Sequence, residues 1–133
     1  MKALKILSLL LFTLLMVTCN TDDDVQPQNV YLASNGVTVK ASSGAKAGDK
    51  GNINGVVYTI VDSSTLTSMI INGEDVTKVV TSLVTNMNNL FKNDLSFNQD
   101  ISSWDVSNVT TMVEMFFTAV DFKGDISSWD VSN

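Results

Sequence analysis

From Ile101 the apolar residues fall at Ile101, Trp104, Val106, Val109, Met112, Met115 and Phe116, separated mainly by Ser, Thr, Asn and Asp. The phrase Asp100-Ile101-Ser102-Ser103-Trp104-Asp105-Val106-Ser107-Asn108 returns unchanged as Asp125-Ile126-Ser127-Ser128-Trp129-Asp130-Val131-Ser132-Asn133, an offset of 25 residues. Apolar positions around it keep that offset, as in Met87 and Met112, Phe91 and Phe116, Phe97 and Phe122. Self-similarity at a fixed period in the twenties predicts stacked units, each covering the hydrophobic face of the next. The expected core is Ile101, Trp104, Val106, Val109, Met112, Met115, Phe116 and Phe122, continued by Ile126, Trp129 and Val131.

The spacing Ile101-x-x-Trp104-x-Val106 resembles the leucine-rich-repeat phrase L-x-x-L-x-L. The resemblance implies an α/β solenoid of leucine-rich-repeat type, with short parallel strands and short helices. Ile101 to Val106 is the expected strand, and Val109 to Ala119 a helix of one or two turns, weakened by Thr110, Thr111 and Val113. Trp104 and Trp129 would stand near the ~4.8 Å spacing of adjacent strands, either as a buried ladder or as an exposed sugar platform. Gly73 to Phe97 forms a degenerate first copy, with seven identities in 25 to Asn98 to Phe122. The third copy stops after eleven residues, which suggests a fragment of a longer protein, or further repeats supplied from elsewhere.

Before the repeats the period changes. Val30 to Ala41 alternates around Asn35-Gly36, and Val56 to Val61 follows Asn54-Gly55, both hairpin signals, because Asn and Gly accept positive φ. Ser42 to Gly51 reads as a surface loop. Asp62-Ser63-Ser64 is an N-cap cluster, Leu66, Met69 and Ile70 share one helical face, and Asn72-Gly73 ends the helix. Such a helix suits the cap that a terminal repeat needs. The resulting plan is a small β-rich region at 30–61, a capping helix at 62–72 and repeats at 73–133.

At the N-terminus, Lys2 and Lys5 precede an apolar run of twelve residues, Ile6 to Val17, too short to span a bilayer comfortably. This is the pattern of a secretory signal peptide, assigned to 1–18. Its end, Leu15-Met16-Val17-Thr18-Cys19, resembles the lipobox of bacterial lipoproteins, which implies cleavage before Cys19 and lipidation of its thiol. The alternative is an ordinary leader with an incidental cysteine. Residues 19–29 read as an acidic flexible tether. Asp22, Asp23 and Asp24 resemble the export tag of lipoproteins carried to the outer leaflet of the Gram-negative outer membrane, or are simply a solvated charge run.

Charge and composition narrow the chemistry. Eight lysines, no arginine and fourteen acidic residues make the chain acidic, and without Lys2 and Lys5 the balance is −8. Nucleic acid is therefore not an expected partner. With no histidine, Ser-His-Asp and Cys-His catalysis are excluded, and Cys19 alone cannot form an intrachain disulfide. No cofactor, metal or catalytic residue is expected. Asp100 and Asp125 would stack, as would Asp105 and Asp130, so each carboxylate must cap its own turn or share a calcium ion. Paired carboxylates also allow glycoside hydrolysis, although copies at a fixed period look structural. Asn108-Val109-Thr110 matches the glycosylation sequon.

From about Tyr58 onward the chain resembles the BspA-type leucine-rich-repeat surface proteins, catalogued also as a bacterial repeat of unknown function. Val84-Thr85-Asn86-Met87 with Leu90-Phe91 carries the likeness, and so does Phe97-Asn98-Gln99-Asp100 through Met112, with Met115-Phe116. Lys123 departs from the asparagine usual after the phenylalanine. The resemblance implies a cell-surface module that adheres to protein or glycan partners, and it supplies no catalytic residues. A structural spacer displaying a further C-terminal domain is the second reading, and a carbohydrate-active enzyme the third.

Overall fold

The computed structural model describes residues 28–133. Asn29 follows Gln28 into β1 (Val30–Leu32), and β2 (Val39–Ala41), β3 (Lys50–Ile53), β4 (Val56–Asp62), α1 (Ser63–Ile71) and β5 (Val79–Leu83) complete the regular elements. Strands β1 and β2 form an antiparallel pair, while β3, β4 and β5 form a second sheet, antiparallel between β3 and β4 and parallel between β4 and β5. The leader (1–18), Cys19 and Asp22 to Asp24 lie outside the described residues, as does all of the tether except Gln28 and Asn29. Among the described residues, no helix is long and apolar enough to cross a membrane.

The turn chemistry explains the small elements. Asn54 (φ 51°) and Gly55 (φ 87°) form the two-residue link between β3 and β4, both left-handed as such a turn demands. The Asn35-Gly36 hairpin is wider, because Asn35 Oδ1 accepts the amides of Val37 (3.1 Å) and Thr38 (3.0 Å) and holds a six-residue loop. The loop expected to run to Gly51 gives way to β3 at Lys50. There Gly51 lies against β1, and a Cβ would sit 2.4 Å from Val30 Cγ2, so only glycine fits. Asp62 caps α1 by accepting the Thr65 amide at 2.8 Å. At its other end the Gly73 amide donates to the Ile70 carbonyl (3.0 Å) and the Glu74 amide to that of Met69 (2.9 Å), a Schellman motif. Leu66 is buried, and Met69 and Ile70 pack half-buried on the main core.

The expected α/β solenoid is corrected by these elements: the described residues form two small sheets and one short helix, and the second and third copies contain neither a strand nor a helix. Only the first copy contains a strand, β5, paired with β4 rather than with the next copy. In the second copy the Ser102 amide binds Asp100 Oδ1, the Ser107 amide binds Asp105 Oδ1, and the Trp104 and Val109 amides close turns on Ile101 and Val106. The bonds of the Ser102 and Trp104 amides consume donors that a strand from Ile101 to Val106 would need. Over Val109 to Ala119, Glu114 (φ 52°) and Thr118 (φ 58°) are left-handed, which no α-helix admits. Asn89 (φ 58°) and Asn93 (φ 62°) take the same conformation 25 residues earlier.

The copies are nevertheless in register. Amides of Met87, Asn89, Phe91 and Asn93 donate to the carbonyls of Thr111 (3.0 Å), Val113, Met115 and Phe117 (each 2.9 Å). Asn88 Oδ1 accepts the Val113 amide at 2.7 Å, and Asn98 Oδ1 that of Lys123 at 2.9 Å. Inside, Trp104 and Trp129 lie parallel within 1° at a centroid separation of 6.4 Å, wider than the expected strand spacing. Each indole N–H donates, at 3.1 Å, to a carbonyl 28 residues back, that of Val76 or Ile101. Phe91, Phe97, Phe116 and Phe122 stack beside them, at centroid distances from 3.7 to 5.8 Å.

Candidate functional site

Ile101, Trp104, Val106, Val109 and Met115 are buried, while Met112, Phe116, Phe122 and Trp129 are partly covered. Ile126 and Val131 were expected in this core but lie on the outside, 38% and 67% exposed. The reason is geometric: among the described residues, the second copy is flanked on both sides and the third on one. Trp104, fully buried, leaves no exposed aromatic platform there.

The open polar face lies where the Asn35 loop meets the aspartate turns of the second and third copies. A groove of about 530 Å³ is lined there by Val37, the 98–102 turn and the 123–128 turn. It presents similar chemistry twice, with Asp100 and Asp125 at one register position and Ser102 and Ser127 at the next. Asp100 Oδ1 accepts the Ser102 amide at 3.0 Å, and Asp125 Oδ1 the Ser127 amide at 2.9 Å. The Ser102 hydroxyl and amide hold the Asp100 carboxyl below its ordinary value against a small opposing push from burial and from Asp125. The Ser127 amide and hydroxyl do the same for Asp125. Both carboxylates therefore cap their own turns. Among the described residues, no group of three or more Asp, Glu, His or Cys side chains converges on one point.

Next to the groove is a feature that the sequence reading missed. Asp105 is only 3% exposed and joins three segments. It accepts the hydroxyls of Ser82 on β5 and Ser107 in its own turn, each at 2.6 Å, and pairs with Lys40 of β2 at 3.3 Å. Burial is the largest single influence and pushes its carboxyl up, but the Ser107 and Ser82 hydroxyls, the Ser107 amide and Lys40 together hold it below its ordinary value. The Ala41 amide donates to Ser82 Oγ at 2.9 Å and the Val39 amide to the Ser103 carbonyl at 2.9 Å, which fastens β2 to the repeats. A hint was available in Asp105-x-Ser107, which has the same spacing as the turn at Asp100-x-Ser102. Nothing in the spacing distinguishes the buried aspartate from the exposed one. The sequon residue Asn108 is also engaged, its amide donating to the Ser82 carbonyl at 2.8 Å.

Residues 61–133 match the family described as "Mycoplasma protein of unknown function, DUF285". The chain belongs to that family. The matched span begins at the end of β4 and takes in α1, β5 and all three copies, so the shared part of DUF285 includes the aspartate turns and the aromatic stack. The Asn35 loop and Lys40 lie outside it. No curated protein and no solved structure matches the chain.

Proposed function

We propose that this DUF285 protein is a lipid-anchored cell-surface binding module, fixed to a membrane through Cys19 and exported to the outer leaflet. Its groove between the Asn35 loop and the aspartate turns takes an extracellular protein or glycan partner. The observation that carries the reading is the doubled presentation of carboxylate and hydroxyl, Asp100 with Ser102 and Asp125 with Ser127, on an open groove of about 530 Å³. A surface that repeats its polar groups at one pitch suits an extended partner that repeats its own. The likeness to BspA-type surface proteins supports adhesion as the role. Both carboxylates are engaged in their own turns, Asp100 with the Ser102 amide and Asp125 with the Ser127 amide, which supports binding over catalysis.

The test is binding of the full chain to arrays of matrix proteins and glycans. A partner should be retained by the wild type and lost, or weakened at least about tenfold, with Asp100→Asn and Asp125→Asn combined. An empty array, or a partner indifferent to that double variant, would refute the groove. Metabolic labelling with an alkyne fatty acid, abolished by Cys19→Ala, tests the anchor.

A further inference from the structure

The groove beside Asp100 and Asp125 has walls of two origins. Its polar wall, the 98–102 and 123–128 turns, lies inside the matched span 61–133, and its remaining wall is the Asn35 loop, which does not. Val37 is the one aliphatic side chain among the residues lining the groove, and it is 40% exposed.

Val37 is held at two levels. Within the loop, Asn35 Oδ1 accepts the Val37 and Thr38 amides, Asn35 Nδ2 donates to Thr38 Oγ1 at 2.8 Å, and the Ala33 amide closes on the Thr38 carbonyl at 2.8 Å. Beyond the loop, β2 is tied to the second copy. The Val39 amide donates to the Ser103 carbonyl at 2.9 Å, and Lys40 Nζ reaches both Asp105 Oδ1 (3.3 Å) and Ser107 Oγ (3.1 Å). The first set of bonds fixes the shape of the loop, and the second fixes where the loop stands at the groove.

A polar groove with a single fixed aliphatic contact selects a partner that brings both kinds of group. Hydroxyl or ammonium donors match Asp100 and Asp125. An aliphatic side chain matches Val37, and that contact shields the polar bonds beside it from water. A polypeptide offers the two together, one residue next to another. A sugar ring offers its apolar C–H face as a flat plate, which an aromatic ring matches, and no aromatic side chain lines the groove.

We propose that the partner is a protein segment carrying an aliphatic side chain next to hydroxyl or ammonium donors. Val37 determines this selectivity, and Lys40 is a positioning residue that holds Val37 at the groove through its clamp on Asp105. The proposal rests on the reading of the groove as a binding site and names the class of partner it takes.

The probe is a displayed library of random peptides selected on the full chain. The wild type should enrich peptides in which Leu, Ile or Val stands beside Ser, Thr or Lys, and Asp100→Asn combined with Asp125→Asn should abolish the enrichment. Selection on Val37→Ser, a change at an exposed loop position, should keep the polar preference and lose the aliphatic one. A synthetic peptide of the enriched sequence should bind Val37→Ser at least about tenfold more weakly than the wild type, with the unfolding midpoint unchanged. Lys40→Met should weaken the same peptide and Lys40→Arg should retain it. Adding Val37→Ser to Lys40→Met should cost little more, because both act through one contact. Enrichment of no peptide, an aliphatic preference that survives Val37→Ser, or fully additive losses for Val37→Ser and Lys40→Met would overturn the proposal. A glycan retained on the arrays through Asp100 and Asp125, with no peptide enriched, would refute this selectivity and leave the binding-module reading standing. An empty library together with empty arrays would refute both.

Discussion

The second and third copies share nine identical residues, Asp100 to Asn108 and Asp125 to Asn133, in two surroundings. Their local conformations agree closely. The Trp104 and Trp129 amides close the same turn at 3.2 and 3.1 Å, and the Asp105 and Asp130 carboxylates take the following serine amide at 3.2 Å in both. Their burial does not agree. Ile101 is fully covered where Ile126 is 38% exposed, and Val106 is 2% exposed where Val131 is 67%. The turn is thus a property of the nine residues, and the core is a property of what lies on either side. An Asx turn needs only its own side chain, whereas a buried indole needs neighbours.

The widest separation between the copies should come from the tryptophans. Trp104→Ala empties a fully enclosed site and should cost about 3–5 kcal/mol in denaturant unfolding, with Trp129→Ala costing roughly half of that or less. Equal losses would mean that both indoles are equally enclosed. The aspartates come next. Asp105→Ala leaves Lys40 without its partner and Ser82 without its acceptor, and because Lys40 remains partly hydrated the cost should be about 1–3 kcal/mol. Asp130→Ala removes only an exposed cap on the Ser132 amide and hydroxyl and should lower the unfolding midpoint by much less than Asp105→Ala does.

Acidification probes the same contrast more gently. Asp62, Asp75, Asp100, Asp105, Asp125 and Asp130 are all held below the ordinary value of 3.8 in the folded chain. Each contributes stability that is complete above 3.8 and is lost as pH falls through its lower folded value, so the unfolding midpoint should drop on the acid side of that point. Asp105→Asn should flatten this fall and Asp130→Asn should change it less, a comparison read from denaturant midpoints between about pH 2 and pH 6. An effect of opposite sign should be at Thr118, a β-branched residue at φ 58° where the first copy has Asn93. Thr118→Asn should raise stability by roughly 0.5–1 kcal/mol in the same assay, because asparagine tolerates the left-handed region better.

What the sequence disclosed was whatever depends on near neighbours along the chain. Asp62 as a cap, Asn72-Gly73 as a stop and Asn54-Gly55 as a hairpin are each settled within a few residues. The offset of 25 also survives intact, since aromatic rings and asparagine side chains meet at that separation. The secondary structure inside each copy was misread, because the same Ser and Asp residues that mark the repeat take the amides a strand would use. Lys40 and Ser82 meeting at Asp105 was invisible, being a contact across 65 and 23 residues that no periodicity encodes. The candidate groove was half legible: Asp100 and Asp125 were singled out, but the loop at Val37 that walls them was not.

The row of amides from Met87 to Asn93, matched one for one with carbonyls from Thr111 to Phe117, sets terms for how such a gene can change length. Adding or removing a single residue inside a copy shifts every later donor off its acceptor and every ring off its stack. Duplicating a whole unit of 25 keeps the register. The molecule can therefore be lengthened by recombination between its own near-identical segments far more safely than by any small insertion.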